Sequence, residues 1–538
     1  MSQPQADTPA PEQKTAEEEA PRSPREIRLV MTGLVVTMLL AMLDNLIIGT
    51  AMPTIVGDLG GAEHLSWVVT AYTLATAAST PIWGKLGDLY GRKGTFLTAI
   101  VIFLAGSALS GLSQNMNELI GFRALQGLGA GGLMVGVMSI MGALIPPRDR
   151  GKYQGMFAAV MALATIGGPL IGGFITDHLN WHWTFYINLP LGVVALAVVM
   201  VTLKLPKVRS TARIDYLGAL LLTTGITALT LITTWGGQEY AWGSKQILGL
   251  AALAAASLIA FCYVEQRVEE PMLPLDLFKN LNFTLVSVIG FVVGFVMFGS
   301  TVFLPLYQQT VQGASATNSG LLLMPMMFGM LVVSLAVGQA VTKTGKYRIF
   351  PIIGTVVMAG GSLLLSTLST DTSTLTSACF MVVLGAGMGF LMQITMLVAQ
   401  NSVELKDMGV ASSTATLFRT IGGSFGVALF GALFNSRVTE TMKDRLGGAA
   451  TGGVQGDPGQ MSPAALKALP APVQDAYHHA VANGMHTVFL WGAAVAVIAI
   501  AAAVFMREVP LRGSGTPAAD EKGEGGKATE PNVEAVAI

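Results

Sequence analysis

Charged side chains are scarce: Asp, Glu, Lys and Arg make up 12% of the 538 residues, against roughly 25% in soluble domains. With 52% apolar residues and a mean hydropathy of +0.59, the composition excludes an ordinary soluble globule. A basic excess is missing too. The 31 Lys and Arg against 32 Asp and Glu leave a net charge of -1, so there is no broad positive field to grip nucleic acid. The two cysteines, Cys262 and Cys379, both sit in long apolar runs; they build neither a disulfide framework nor a four-ligand zinc site and read as small apolar fillers. The segment Met1 to Arg25 lacks an apolar core and a small-residue cleavage site, which excludes a signal peptide, and its Pro, Glu and Gln content predicts disorder.

What the chain has in abundance is apolar stretches near the length that crosses a bilayer, about fourteen of them. They run over 28–50, 65–85, 94–113, 117–142, 153–175, 185–205, 215–235, 246–264, 282–305, 318–341, 349–369, 375–398, 410–433 and 485–506. Basic residues gather at alternate ends: Arg22, Arg25, Arg28, Arg92, Lys93, Arg148, Arg150, Lys152, Lys204, Lys207, Arg209, Arg213, Arg267, Lys279, Lys343, Lys346, Arg348, Lys406 and Arg507. Loops 57–64, 114–116, 176–184, 306–317 and 370–374 contain no Lys or Arg. The asymmetry predicts an even number of spans with both termini cytoplasmic, and Trp181, Trp183, Phe185 and Tyr186 in an outer aromatic belt.

The halves repeat. Leu128-Gly129-Ala130-Gly131 recurs as Leu384-Gly385-Ala386-Gly387, Thr165-Ile166-Gly167-Gly168 as Thr420-Ile421-Gly422-Gly423, and Gly84 with Gly91 as Gly338 with Gly345. The offset of about 255 residues exceeds six helices with short loops and leaves room for two extra spans, a six, two, six arrangement of the kind secondary transporters use. The expected units are a disordered cytoplasmic tail at 1–26, a six-helix bundle at 27–206, a two-helix insert at 207–270, a second six-helix bundle at 271–508 with a long outer loop at about 435–484, and a disordered cytoplasmic tail at 509–538.

The turn between the second and third spans reads Gly84-Lys85-Leu86-Gly87-Asp88-Leu89-Tyr90-Gly91-Arg92-Lys93. Here the chain resembles the major facilitator superfamily, whose loop at this place carries Gly-x-x-x-Asp-x-x-Gly-Arg-Lys. Leu43-Asp44 followed by Pro53 looks like the first-helix motif of the fourteen-span drug:proton antiporters, and Arg123, Gln126, Gly127 and Gly129 look like their fourth-helix motif. Gly168-Pro169-Leu170-Ile171-Gly172-Gly173 resembles their antiporter motif. Trp181-His182-Trp183 with Asn188-Leu189-Pro190-Leu191-Gly192 resembles the entry to the sixth helix, with His182 where Arg is common. The resemblance implies an all-α polytopic membrane protein of major facilitator fold, two six-helix bundles plus two extra helices, with Gly84, Asp88, Gly91 and Arg92 as a cytoplasmic gate. It also implies export, since the motif of Gly168, Pro169, Gly172 and Gly173 accompanies exporters.

Depth arithmetic adds a reading independent of family. Asp44 lies about seven residues from the outer end of its span and Arg123 about six residues inside its own, so at 1.5 Å per residue both sit roughly 9 to 10 Å below the outer boundary. No other acid falls deep in any span. Two readings stand: a proton carrier whose carboxyl loads and unloads as its surroundings change, or a permanent ion pair stapling two helices. Arg419 shares a helix face with Gly422, Gly423 and Gly426; it either attracts a polar or anionic part of a substrate or bonds to the carbonyls of a neighbouring helix. Gln126, Met324, Met327 and Arg419 are candidate cavity residues, the methionines as an adaptable wall or as ordinary packing.

Enzyme motifs fail in context. Gly422-Gly423-Ser424-Phe425-Gly426 matches a nucleophile elbow but lies inside an apolar helix, and Gly345-Lys346 lacks the flanking residues of a P-loop. The expected activity is proton-coupled export of small amphipathic molecules, drugs or antibiotics, from a prokaryotic cell (inner) membrane; the alternative is export of one endogenous metabolite, self-made antibiotic or lipid. Neither needs a cofactor beyond the proton gradient. The expected partners are the amphipathic substrates, protons and the lipid bilayer, with no nucleic acid, and the monomer is the expected working unit.

Overall fold

The computed structural model describes residues 24–59, 65–145, 150–203, 215–236, 240, 243–268, 271–314, 322–404, 407–446 and 470–511. Most of both tails and positions 447–469 lie outside the described residues, as do a few side chains within helices, that of Pro169 among them. The described residues form long helices and no strand: α1 (Pro24–Leu59), α2 (Leu65–Tyr90), α3 (Arg92–Ser110), α4 (Met116–Leu144), α5 (Arg150–His178), α6 (Trp183–Thr202, one turn followed by the main helix), α7 (Tyr216–Trp235), α8 (Lys245–Glu265), α9 (Leu281–Thr310), α10 (Met324–Thr344), α11 (Ile349–Ser366), α12 (Thr374–Asn401), α13 (Met408–Leu446) and α14 (Ala471–Phe505). Twelve of these are long and apolar enough to cross a membrane. The other two, α2 and α5, are 26 and 29 residues long. Hydroxyls make α2 less apolar, and they are spent on backbone: Thr76 and Ser79 donate to the carbonyls of Gly127 and Leu128 on α4, as does the Trp83 indole to Leu128.

Packing repeats with a step of eight helices. Pairs α1·α5, α1·α6, α2·α4, α3·α4 and α3·α6 in the first half recur as α9·α13, α9·α14, α10·α12, α11·α12 and α11·α14 in the second. Glycines set the spacing. A Cβ on Gly127 would collide with the Tyr72 carbonyl of α2, and one on Gly385 with the Met326 carbonyl of α10; Gly131 and Gly389 repeat this one turn on. These pairs reveal a register different from the matched tetrapeptides. Gly129 meets Phe103 of α3 while its counterpart by contact, Gly387, meets Met358 of α11, so α12 sits two residues away from the Leu-Gly-Ala-Gly alignment. Identity over four residues, three of them small, was too local to set the register; the spacing of carbonyl contacts sets it.

One apolar core fills the second half, and separate clusters fill the first. The extra pair α7 and α8 is not peripheral: Leu222, Ile226 and Phe261 pack with Ala77 of α2 and Val410 and Leu417 of α13. Buried charge reinforces the attachment. Asp215 caps α7 through the Gly218 amide, Glu265 accepts from the amides of Met272 and Leu273, and both carboxyls meet at Gly218, with buried Lys85 of α2 beside Glu265.

Three expectations change. The segment 435–484 is not one long loop: α13 continues to Leu446 and α14 begins at Ala471, because Val438 and Met442 bury against a face carrying Tyr477, Ala480 and Val481 while Arg437 pairs with Glu440 one turn on. Gly447, Gly448, Gly452 and Gly453 lie outside the described residues. The aromatic belt loses two members, since Trp181 and Phe185 are fully buried and the Trp181 indole donates to Asp58 at 2.9 Å. Cys262 and Cys379 stand on exposed helix surface rather than filling the core.

Close helix contact through glycine predicts a graded response. Gly385→Val places side-chain atoms in the Met326 carbonyl and should lower stability by roughly 1–3 kcal/mol or more, read as an earlier thermal unfolding of the purified protein. Gly360→Val, at a glycine with open space beside it, should unfold close to the parent temperature.

Candidate functional site

Asp44 on α1 has no exposure, and a carboxylate there must find its donors within the protein. It does so from two other helices. Arg123 of α4 donates through Nη1 to Oδ2 at 2.6 Å, Gln126 through Nε2 to Oδ1 at 2.8 Å, and Asn188 at the start of α6 through Nδ2 to Oδ1 at 2.6 Å. Arg123 also donates to Gln126 Oε1 at 2.7 Å and lies 4.0 Å from the centroid of the Tyr72 ring on α2. Asn188 reaches Ser107 of α3 at 3.0 Å, and Ser107 donates to the Phe185 carbonyl.

Arg123 Nε and Nη2 and Asn188 Oδ1 have no hydrogen-bond partner. The cluster therefore balances one carboxylate against one guanidinium and leaves polar capacity unspent. Asp44 and Arg123 were legible as a pair; Gln126, expected in a cavity wall, is fully buried and bonds to Asp44 instead. Tyr72 and Ser107 were not legible, and Asn188 was named only within the segment that resembles the entry to the sixth helix, with nothing to place it beside Asp44.

Gly168 lies beside this group. Its Cβ would stand 2.5 Å from Leu46 Cβ, so the glycine brings α5 against α1 half a turn from Asp44. Gly172 is buried and Gly173 faces open space; Thr176 donates to both of their carbonyls. The side chain of Pro169 is outside the described residues.

The second group sits at the end of the bundle that carries most Lys and Arg, beyond the apolar span of α2. Asp88 pairs with Arg92 at 3.0 Å and accepts from the backbone amides of Gly409 and Val410 at 3.1 and 2.9 Å. Those amides open α13, so a carboxylate of the first half caps and complements the positive end of a helix of the second. Gly84 makes the approach possible, since a Cβ there would lie 2.6 Å from Ser413 Oγ. Gly91 starts α3 with φ of +95°, a conformation that glycine adopts without strain. Nearby, Gln400 of α12 donates to the Met138 carbonyl of α4 at 3.2 Å and to Ser412 at 3.0 Å. The halves are thus shut together at the basic end.

At the opposite end a cavity of about 990 Å³ opens between α2, α7, α9 and α13, with Thr73, Thr234, Phe298, Ser424, Asn435 and Lys443 in its wall. Arg419 is not in that wall; it lines a small pocket with Val286, Gly290, Met392, Thr395, Met396 and Ala415. The methionine wall does not form: Met327 is in the core of the second half while Met324 is 40% exposed.

A sequence model of the Major Facilitator Superfamily matches residues 34–427. Among curated relatives, "Multidrug transporter protein MdtP" of Bacillus subtilis (strain 168) is 39% identical over 93% of this chain and 97% of its own. "Multidrug resistance protein 3" of the same organism is 37% identical over 90% and 96%. Among solved structures, the proton:xylose symporter XylE aligns with a TM-score of 0.59 at 14% identity, over 90% of this chain and 95% of that one, a likeness of fold.

Burial raises the pKa of Asp88 from 3.8 to about 6, overcoming the opposing pull of Arg92 and the Val410 amide. The carboxyl holds its proton more tightly in the shut arrangement than in water, so this contribution to closure is complete below the ordinary carboxyl range and is lost as pH rises through about 6. Spin labels on the basic ends of α2 and α13 should report a larger shut fraction at about pH 4 than at about pH 7. Asp88→Asn should flatten that dependence; an unchanged profile in the variant would assign the titration elsewhere.

Proposed function

The chain belongs to the Major Facilitator Superfamily, and from that premise we propose that it is a proton-coupled exporter of small amphipathic molecules, drugs or antibiotics among them. The observation that carries the reading is Asp44, a single carboxylate deep in the spans, sealed from solvent and held by Arg123, Gln126 and Asn188. A group so placed is costly in a membrane and characteristic of proton paths. The names of the two relatives, multidrug transporter and multidrug resistance protein, support a drug-like cargo.

The chemistry follows from the contacts. Protonation of Asp44 from the outer side removes the charge that Arg123 neutralises and weakens hydrogen bonds drawn from α4 and α6. The three helices are then free to shift against α5, whose close seat on α1 depends on Gly168. In the shut arrangement Asp88 holds α2 to the start of α13. Releasing it opens the cytoplasmic end to substrate, and deprotonation of Asp44 toward the cytoplasm resets the cluster. The moving units in this cycle are 27–206 and 271–508, with 207–270 carried beside α2 by the Lys85, Asp215 and Glu265 contacts. The protein works as a monomer in the cell (inner) membrane of a prokaryote with both termini cytoplasmic, an orientation supported by the placement of Lys and Arg.

The test is proton movement in inside-out vesicles under an imposed pH gradient as dyes, antibiotics and amphipathic metabolites are added. Several compounds should release protons with the intact protein. Asp44→Asn should abolish proton-driven efflux with membrane expression maintained, whereas efflux at the parent rate would make the Asp44–Arg123 pair a staple. A response to one endogenous compound alone would identify a dedicated exporter.

A further inference from the structure

Arg419 is the one charged residue deep in the spans of the second half. No Asp or Glu occurs within 282–305, 318–341, 349–369, 375–398, 410–433 or 485–506, so this half contains nothing of opposite charge at that depth. Asp44, the only deep carboxylate of the first half, is fully committed to Arg123, Gln126 and Asn188. It also lies roughly 9 to 10 Å below the outer boundary, while Arg419 is about nine residues, or roughly 14 Å, from the cytoplasmic one, so the two are at different levels.

The bond to a neighbouring helix that would make Arg419 a structural residue is not there either. Among the described residues the guanidinium has no hydrogen bond or ion pair. Around it stand Val286, Gly290 and Val293 of α9, Met392, Thr395 and Met396 of α12, and Ala415 of α13. The one hydroxyl in that set, on Thr395, donates to the carbonyls of Leu391 and Met392 of its own helix. The α13 backbone at Arg419 is packed tightly against Gly294, which fixes where the side chain starts and directs it back along the helix toward Ala415.

Position gives the charge its meaning. By the packing repeat, α9, α12 and α13 correspond to α1, α4 and α5, the helices that hold Asp44, Arg123, Gln126 and Gly168. At the offset of about 255 residues Arg419 corresponds to Ala164, which packs on Leu43 and Ile47 around Asp44. The second half thus carries a net positive charge at the place where the first half carries a balanced pair.

An intramembrane guanidinium with five donors and no acceptor is matched by an oxyanion, which a planar fork binds bidentately. We propose that Arg419 is a specificity-determining residue that takes the carboxylate or sulfonate of an anionic amphipathic substrate; the pocket beside it holds about 10 Å³ in the shut arrangement, with Val286 and Met396 buried, so the substrate reaches it only once the cytoplasmic end opens. The proposal rests on the exporter reading above and names its substrate class: amphipathic organic anions in preference to cations.

The test uses the full-length protein in phosphatidylcholine vesicles with two fluorescent probes of similar size, an aryl naphthalene sulfonate and a quaternary ammonium dye. Equilibrium binding and proton-driven transport are measured for each. The intact protein should bind the sulfonate more tightly. Arg419→Gln should weaken sulfonate binding roughly tenfold or more, the scale of a lost charge-assisted bond, and leave the ammonium dye unchanged or bound better. Arg419→Lys, which keeps the charge, should recover part of the affinity. Equal loss of both probes in Arg419→Gln and Arg419→Lys would make the residue a packing element and overturn the proposal, as would sulfonate affinity unchanged in Arg419→Gln.

Adding phosphatidylglycerol separates two sources of anion. If it suppresses sulfonate binding through Arg419, the site belongs to a lipid headgroup and the substrate assignment falls. Failure of the exporter reading looks different: Arg419-dependent sulfonate binding would persist with no proton-driven movement of either probe.

Discussion

A carboxylate without access to water has to be neutralised by its own neighbours, and the first half of this protein is organised around that requirement at Asp44. The donors come from α4 and α6, and the chain of contacts reaches α3 through Ser107 and α2 through the ring of Tyr72. Five helices are thereby positioned by reference to one charge. A buried pair of this kind contributes little net stability relative to apolar packing, so in the proposed cycle its significance lies in what happens when the charge is removed. Protonation changes the number of acceptors available to three donors at once, and the change is felt on three helices.

The proposed cycle adds a second constraint, that the halves adhere at one end and separate again. Apolar interlocking suits permanent contact, and it fills each half. Between the halves at the basic end the apolar cluster of Ala77, Val410 and Leu417 is joined by contacts of another kind: a carboxylate on the first amides of α13, an amide side chain on an α4 carbonyl, and glycine surfaces that let backbones meet. These interactions are directional and short in reach, so a small displacement releases them together. The extra helices α7 and α8 stand against this seam on α2 and α13, where the buried Lys85, Asp215 and Glu265 tie them to the segment that carries Asp88.

Charge is distributed unequally between two halves built on one plan. The first half spends its deep acid on its deep base. The second has a deep base and no acid, and its helices surround Arg419 with methionine, valine and glycine. Since the repeat places these regions at corresponding positions, the proposed roles divide along the asymmetry, proton chemistry in one half and ligand charge in the other.

The linear chain by itself determined the class of the molecule, because hydropathy over about twenty residues and the placement of Lys and Arg are properties of composition along a line. It also determined the two charged motifs: Asp44 and Arg123 come to one level by counting residues along helices, and the Gly84–Arg92 turn is continuous. What required the tertiary structure was everything that depends on rotation about a helix axis or on partners distant in sequence. The α12 register differs by two residues from the tetrapeptide match because carbonyl contacts, rather than identities, define it. Asn188 joins Asp44 from 144 positions away, Trp181 turns inward to reach Asp58, and the ends of α13 and α14 persist as a helical pair because their apolar faces meet each other. Whether Arg419 was satisfied by a neighbouring backbone was likewise undecidable from its spacing to glycines, since a guanidinium finds its partners through a flexible side chain, and only the packed helices show what stands within its reach.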